Sequence, residues 1–203
     1  RRAPPPPPAT ARLPAPMLDV MRPPAMAGMD APMMEAMPAD CMSGCSADHM
    51  HMMPPEEMAG MEASMMAAMP PEAMGVFNPD HMEAMPPEAM AEMTADQMSF
   101  LPPDAFNGFR ANQVEELPPR AFSELGPQQF GAMPPAALRG IEPRQLGAVP
   151  PEAIGQMSRQ QVNRLPADAM GRINADQIGA MPPTAFAGFR PAQVCLLYTS
   201  PSP

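Results

Sequence analysis

The chain contains no lysine and only three histidines, so acid–base material is scarce. Its acidic residues recur at fixed intervals instead of converging with a nucleophile or an arginine. There is no phosphate-binding glycine loop and no nucleophile elbow. These absences predict a non-enzymatic protein with no catalytic residues. Val, Ile and Thr are sparse, which argues against strands. No signal peptide, membrane span or lipidation motif is visible. Between Arg22 and Arg110 there is no lysine or arginine, and such a surface repels phosphate backbones, so nucleic acid is not an expected partner.

What the chain does have is a sixteen-residue repeat, running from Met21 to Val194. Clear copies begin at Met69, Met85, Leu101, Leu117, Met133, Val149, Leu165 and Met181, each followed by Pro-Pro or Pro-Ala. Such periodicity marks an architecture built by stacking units, in which most residues answer to the repeat. Counting a copy from 0 to 15, apolar residues fall at 0, 5, 8 and 13, Ala at 4 and Gln at 12. The Gln position holds Gln97, Gln113, Gln129, Gln145, Gln161, Gln177 and Gln193, with His81 in one copy.

Spacings of five and three fit neither a continuous helix nor an alternating strand. Helix-start chemistry explains them. Ser158 with Gln161, Thr94 with Gln97 and Asn174 with Gln177 have the form of capping boxes, flanked by apolar pairs such as Met157 and Val162. Pro79 occupies a first helical position, where its missing N–H costs nothing. The other octad opens on Pro-Pro, which stops any helix entering from the octad before. Each octad is therefore expected to form one helix of about one and a half to two turns. Gly131, Gly147, Gly155, Gly171 and Gly179 are read as its stops.

Isolated helices this short are unstable in water, so each must lean on the coils before and after it. The predicted fold is all-α, a repeat solenoid of very short helices, one per octad. A β-solenoid or a largely disordered chain are the alternatives.

Four segments follow. Residues 1–20 are proline-rich and read as a disordered polyproline segment. Residues 21–108 are Met-rich, acidic repeats, and residues 109–194 are charge-balanced repeats of the same array. Residues 195–203 depart from the repeat and resemble translated sequencing-adapter read-through; with Arg1 in first place, the chain reads as a fragment.

One stretch suggests metal chemistry. Cys41, Cys45, His49, Met50, His51 and Met52 combine thiols, imidazoles and thioethers, which suit Cu(I) or Ag(I). Residues 41–53 resemble the Met/His-rich stretches of copper- and silver-binding proteins, which implies soft-metal sequestration as an alternative function. Against it, 22 of the 26 Met lie on apolar repeat positions, where Met serves as flexible core filling. Cys45 holds an apolar place, Cys41 the Ala place and His49 the Gln place. Only His51 and Met52 are unexplained by register.

The octad Ile173-Asn174-Ala175-Asp176-Gln177-Ile178-Gly179-Ala180 resembles the Leu-Thr-Pro-Glu-Gln-Val-Ala-Ala type tandem repeats of microbial proteins. That resemblance implies architecture more than activity, and a surface or scaffolding role. The functional expectation is a structural or protein-interaction scaffold or spacer whose partners are other proteins.

Overall fold

The computed structural model describes residues 22–199, and the polyproline segment expected at 1–20 lies outside them. Short helices, one per octad, follow one another through the described residues with no strand among them. The all-α repeat solenoid is the observed fold, and the β-solenoid alternative is set aside.

The two octads of a copy wind differently. The Gln octad forms a six-residue α-helix, as in Ala95–Phe100, Ala111–Glu116, Pro127–Ala132 and Pro143–Ala148. The Pro-Pro octad mostly tightens into a 3-10 helix, as in Pro71–Val76, Pro87–Glu92 and Pro103–Gly108. Pro151–Ile154 and Pro183–Phe186 are short α turns instead. The second proline enters the helix at its first turn, where its fixed φ is an advantage, and the chain closes at once through bonds such as Ala73 N–H to Pro70 O at 3.1 Å.

The capping boxes read from the sequence are present at Thr94, Ser158 and Asn174, and Asn78 forms one with His81. The glycine stops are not as expected. Gly131, Gly147, Gly171 and Gly179 lie inside helices, and Gly155 follows one with φ −59°, an ordinary right-handed value. Helices end instead because the next apolar residue is extended, such as Leu101 at φ −61° and ψ 129°, where the following Pro102 disfavours the α region.

In the copy from Leu101, residues 0, 4, 5, 8, 12 and 13 are buried: Leu101, Ala105, Phe106, Phe109, Gln113 and Val114. Both octads of this copy thus bury the same three places, and the middle one takes Ala in the Pro-Pro octad and Gln in the other. The buried apolar residues form one continuous core from Met26 to Ala185. Phe186 and Val194 are exposed.

The packing partners differ from those expected. A helix does not lean mainly on its sequence neighbours; it packs on the helices three octads before and after. Pro79–Ala84 lies against Pro55–Gly60 and Pro103–Gly108, and Ala111–Glu116 against Pro87–Glu92 and Ala137–Gly140. Three is odd, so α-helix always meets a Pro-Pro octad above and below. Side-chain bonds reach a little further, to residues 28 and 31 earlier, which sets one superhelical turn at about 28 residues, or three and a half octads.

Those bonds come from the buried glutamines. Gln97 Oε1 accepts the N–H of Thr94, while its Nε2 donates to the carbonyls of Met66 and Met69 at 2.7 and 2.8 Å. Gln113 does the same with Arg110, Met82 and Met85, and Gln145 with Glu142, Val114 and Leu117. The pattern holds at Gln129, Gln161, Gln177 and Gln193. One amide therefore satisfies the start of its own α-helix and the end of the α-helix one turn below.

Small residues set the fit between turns. A Cβ on Gly60, Gly108, Gly140 or Gly188 would collide with the backbone carbonyl of Ala31, Pro79, Ala111 or Arg159, each 29 residues earlier. In two copies that place carries Gln156 and Arg172, and there the glycine is on the other side, at Gly131 and Gly147, 25 residues earlier.

Two sets of variants check this packing by thermal unfolding followed by circular dichroism. Gln145→Ala leaves the Glu142 N–H and the Leu117 carbonyl without a partner and Val114 O with the Leu117 N–H alone, and is expected to cost at least about 2 kcal/mol, at about 1–3 per group. Exposed Gln160→Ala should be close to neutral, and equal effects at the two sites would refute the bridging role. Gly108→Ala and Gly140→Ala should destabilise by more than about 2 kcal/mol, since backbone must move. Gly75→Ala, with open space around it, should not.

Candidate functional site

The six residues singled out for metal chemistry lie on two adjoining elements. Cys41 sits in the 3-10 helix Ala39–Gly44, Cys45 directly follows it, and the other four belong to the α-helix Ala47–Met52. Octad winding divides them. Cys41, Cys45, His49 and Met50 face the core, whereas His51 and Met52 face solvent. Among the described residues, no group of three or more His, Cys, Asp or Glu is arranged to hold a metal ion.

Each buried member is engaged in the repeat's own packing. His49 stands at the Gln place and completes a capping box, its Nδ1 accepting the N–H of Ser46 at 3.1 Å with Ser46 Oγ at 2.7 Å. His81 shows what imidazole can do there: Nδ1 accepts the Asn78 N–H, and Nε2 lies 3.1 Å from Met53 O, 28 residues earlier. It thus reproduces two of the three glutamine bonds. Burial pushes the Cys45 thiol up to about 12. Cys41 is raised as well, by burial and then by the neighbouring Asp40.

The structure draws attention to a residue that the sequence reading passed over. Glu57 stands at the place that carries Ala73, Ala89, Ala105, Ala121, Ala137, Ala153, Ala169 and Ala185 in later copies. It is 2 % exposed, and its Oε2 has no hydrogen-bond partner. Burial, then Glu56 and Asp30, push its carboxyl up to about 7. Its helix Pro55–Gly60 packs on Ala31–Glu35 and Pro79–Ala84. Those neighbours bring Asp30, Glu35, Asp80, His81 and Glu83, with no arginine to compensate. In the same copy Met65 replaces the glutamine, so the carbonyls of Met34 and Met37 receive no side-chain amide from that place. The signal was available in the sequence as a break of register at both middle places of one copy.

Met33 and Met52, two of the methionines that depart from register, are exposed, while Met65 is buried in the glutamine column. No helix among the described residues is long and apolar enough to cross a membrane. The chain matches no family model and no curated protein.

Glu57 gives the acidic half a pH dependence of definite sign. The folded chain holds the proton up to about pH 7, whereas the unfolded chain releases it near the ordinary carboxylate value of about 4.3. Folding is therefore favoured at the acid end of that window and weakens as pH rises through it. Glu57→Ala should remove this dependence and raise stability at pH 8 by about 1–3 kcal/mol, the cost of a buried polar group left unpaired. Melting curves at pH 5 and pH 8 for both proteins make the check. An unchanged pH response in the variant would assign it to other groups.

Proposed function

We propose that this chain is a non-enzymatic structural repeat protein, a spacer or scaffold that presents a regular surface to other proteins. The observation that carries this reading is how the reactive side chains are used. The buried glutamines and His81 bridge turns, His49 caps its own helix, and Cys41, Cys45 and the methionines on the apolar places fill the core. Little of the chemistry-bearing inventory remains for catalysis, while exposed side chains recur at fixed intervals along the array. The likeness of its octads to the Leu-Thr-Pro-Glu-Gln-Val-Ala-Ala type repeats of microbial proteins supports the same reading. Turns stacked by directional hydrogen bonds give a body whose length scales with copy number.

A spacer must hold a fixed span. Single-molecule energy transfer between dyes at Glu72→Cys and Gln160→Cys, about three turns apart, measures it in a background of Cys41→Ala, Cys45→Met and Cys195→Ser. We expect one narrow distance distribution that is the same at low salt and at about 1 M salt, where the screening length falls to about 3 Å. A broad distribution that moves with salt marks a flexible acidic chain and overturns the proposal.

A further inference from the structure

The charge of the chain is divided along its length. Residues 21–108 carry fourteen carboxylates and one arginine, whereas residues 109–194 carry eight arginines and seven carboxylates. The arginines are not evenly offset in space. Between the 3-10 helix Ala137–Gly140 and the α-helix Arg159–Arg164 lies an open groove of about 860 Å³, lined by Pro135, Ala136, Arg139, Arg159, Gln160, Asn163 and Arg164. Three guanidiniums and two side-chain amides face it, and no carboxylate does. None of the three guanidiniums forms an ion pair among the described residues, whose one salt bridge joins Arg120 to Glu92.

Sequence and packing account for the groove separately. Ala136 occupies the place that carries Glu72, Glu88, Asp104, Glu152 and Asp168 in other copies, so the acid that follows Pro-Pro is missing at this point. The helix Arg159–Arg164 also lies less closely on Ala137–Gly140 than other α-helices do on the octads below them. Space and uncompensated positive charge therefore coincide. Guanidinium is planar and pairs with carboxylate through two parallel bonds.

We propose that this groove docks carboxylate side chains from the acidic half of a second copy of the chain, so that copies associate with the acidic half of one on the arginine groove of the next. The occupant follows from charge complementarity within the chain itself: Asp80, Glu83, Glu88, Asp96 and Asp104, with Glu92 paired to Arg120, are exposed on the half whose one arginine is Arg22. Such a contact is heterologous, which permits chains of copies as well as closed pairs. This goes beyond the spacer reading and does not depend on it, since a fixed span within one copy says nothing of contacts between copies.

The absence of lysine makes a clean test. Arg164→Lys places the chain's one lysine in the groove and keeps the charge. The full-length variant, mixed as equal parts of ordinary and 15N-labelled protein, is treated with a water-soluble carbodiimide, which joins amine to carboxylate as an amide with loss of water. We expect mixed-isotope crosslinks from position 164 to carboxylates within residues 80–104, suppressed by 0.5 M salt or by excess tripolyphosphate. Crosslinks confined to one copy, or none above those of the salt control, overturn the proposal. As a second measure, sedimentation velocity of the Arg139→Glu, Arg159→Glu, Arg164→Glu variant should show loss of concentration-dependent association. Mixing it with a Glu88→Arg, Glu92→Arg variant should restore association. Failure of the wild type to associate at any concentration up to its solubility limit also overturns it.

Discussion

A side-chain amide that bonds three backbone groups at once is the interaction on which this solenoid depends. A six-residue α-helix is nearly all ends: most of its N–H and C=O groups have no partner within the helix. Such a unit could not be buried unless something outside it supplied the missing bonds, because an unpaired buried backbone group costs about as much as a lost hydrogen bond. Glutamine suits the task because its amide carries one good acceptor and two donors on a chain long enough to cross to the next turn. At Gln97 the acceptor serves Thr94 and the donors serve Met66 and Met69. Asparagine would be too short to span this distance, and glutamate would lack the donors. The column is thus both a capping device and the tie between turns.

The winding follows from a parity condition. An α-helix and a 3-10 helix differ in rise and radius. Stacking at an even number of octads would set like upon like, whereas a separation of three octads between packed helices sets each α-helix on a Pro-Pro octad, as between Pro79–Ala84 and Pro103–Gly108. The glutamine then reaches past that neighbour to the end of the α-helix four octads back. Turn length is fixed by these two reaches together. Size complementarity at the contact reinforces it: wherever two turns approach through Gly108 or Gly140 the backbone itself is the opposing surface, and wherever Gln156 or Arg172 projects instead, a glycine receives it.

Much of this was legible in the sequence. The apolar places, the recurrent Gln, the capping boxes and the helical class all follow from local chemistry, since each concerns residues within about one octad of one another. What the sequence reading missed is long-range. Octad spacing says how each helix begins and which side is oily, but not how many octads make a turn, so Gln97 was read as a cap for Thr94 and not also as a donor to Met66. The glycines were misread for the same reason. Gly131 and Gly147 are small because of Gln156 and Arg172, 25 residues away, and not because a left-handed stop is needed. At the candidate ligands, composition drew together residues that helical winding separates. Cys41 and His49 point inward while His51 and Met52 point out.

Departures from the rule are not scattered evenly, and their placement shapes the molecule. Met33, His49, Met65 and His81 hold the glutamine place in the first four copies, and Cys41 and Glu57 hold the alanine place in two of them. From Gln97 onward the column is unbroken through Gln193. The acidic, methionine-rich half therefore has fewer bonds between turns and relies more on non-directional apolar contact, which deformable methionine supplies without demanding one geometry. Its carboxylates also repel one another; that half holds no arginine after Arg22, although Arg120 of the other half pairs with Glu92. Cohesion thus rises along the chain, from a compliant acidic half to a stiffer half whose turns are clamped by amides. Local opening is drawn from the weaker end of such a gradient. The same break in register that buries Glu57 makes that half responsive to pH, which the amide-clamped half, lacking any buried carboxylate among its described residues, is not built to be.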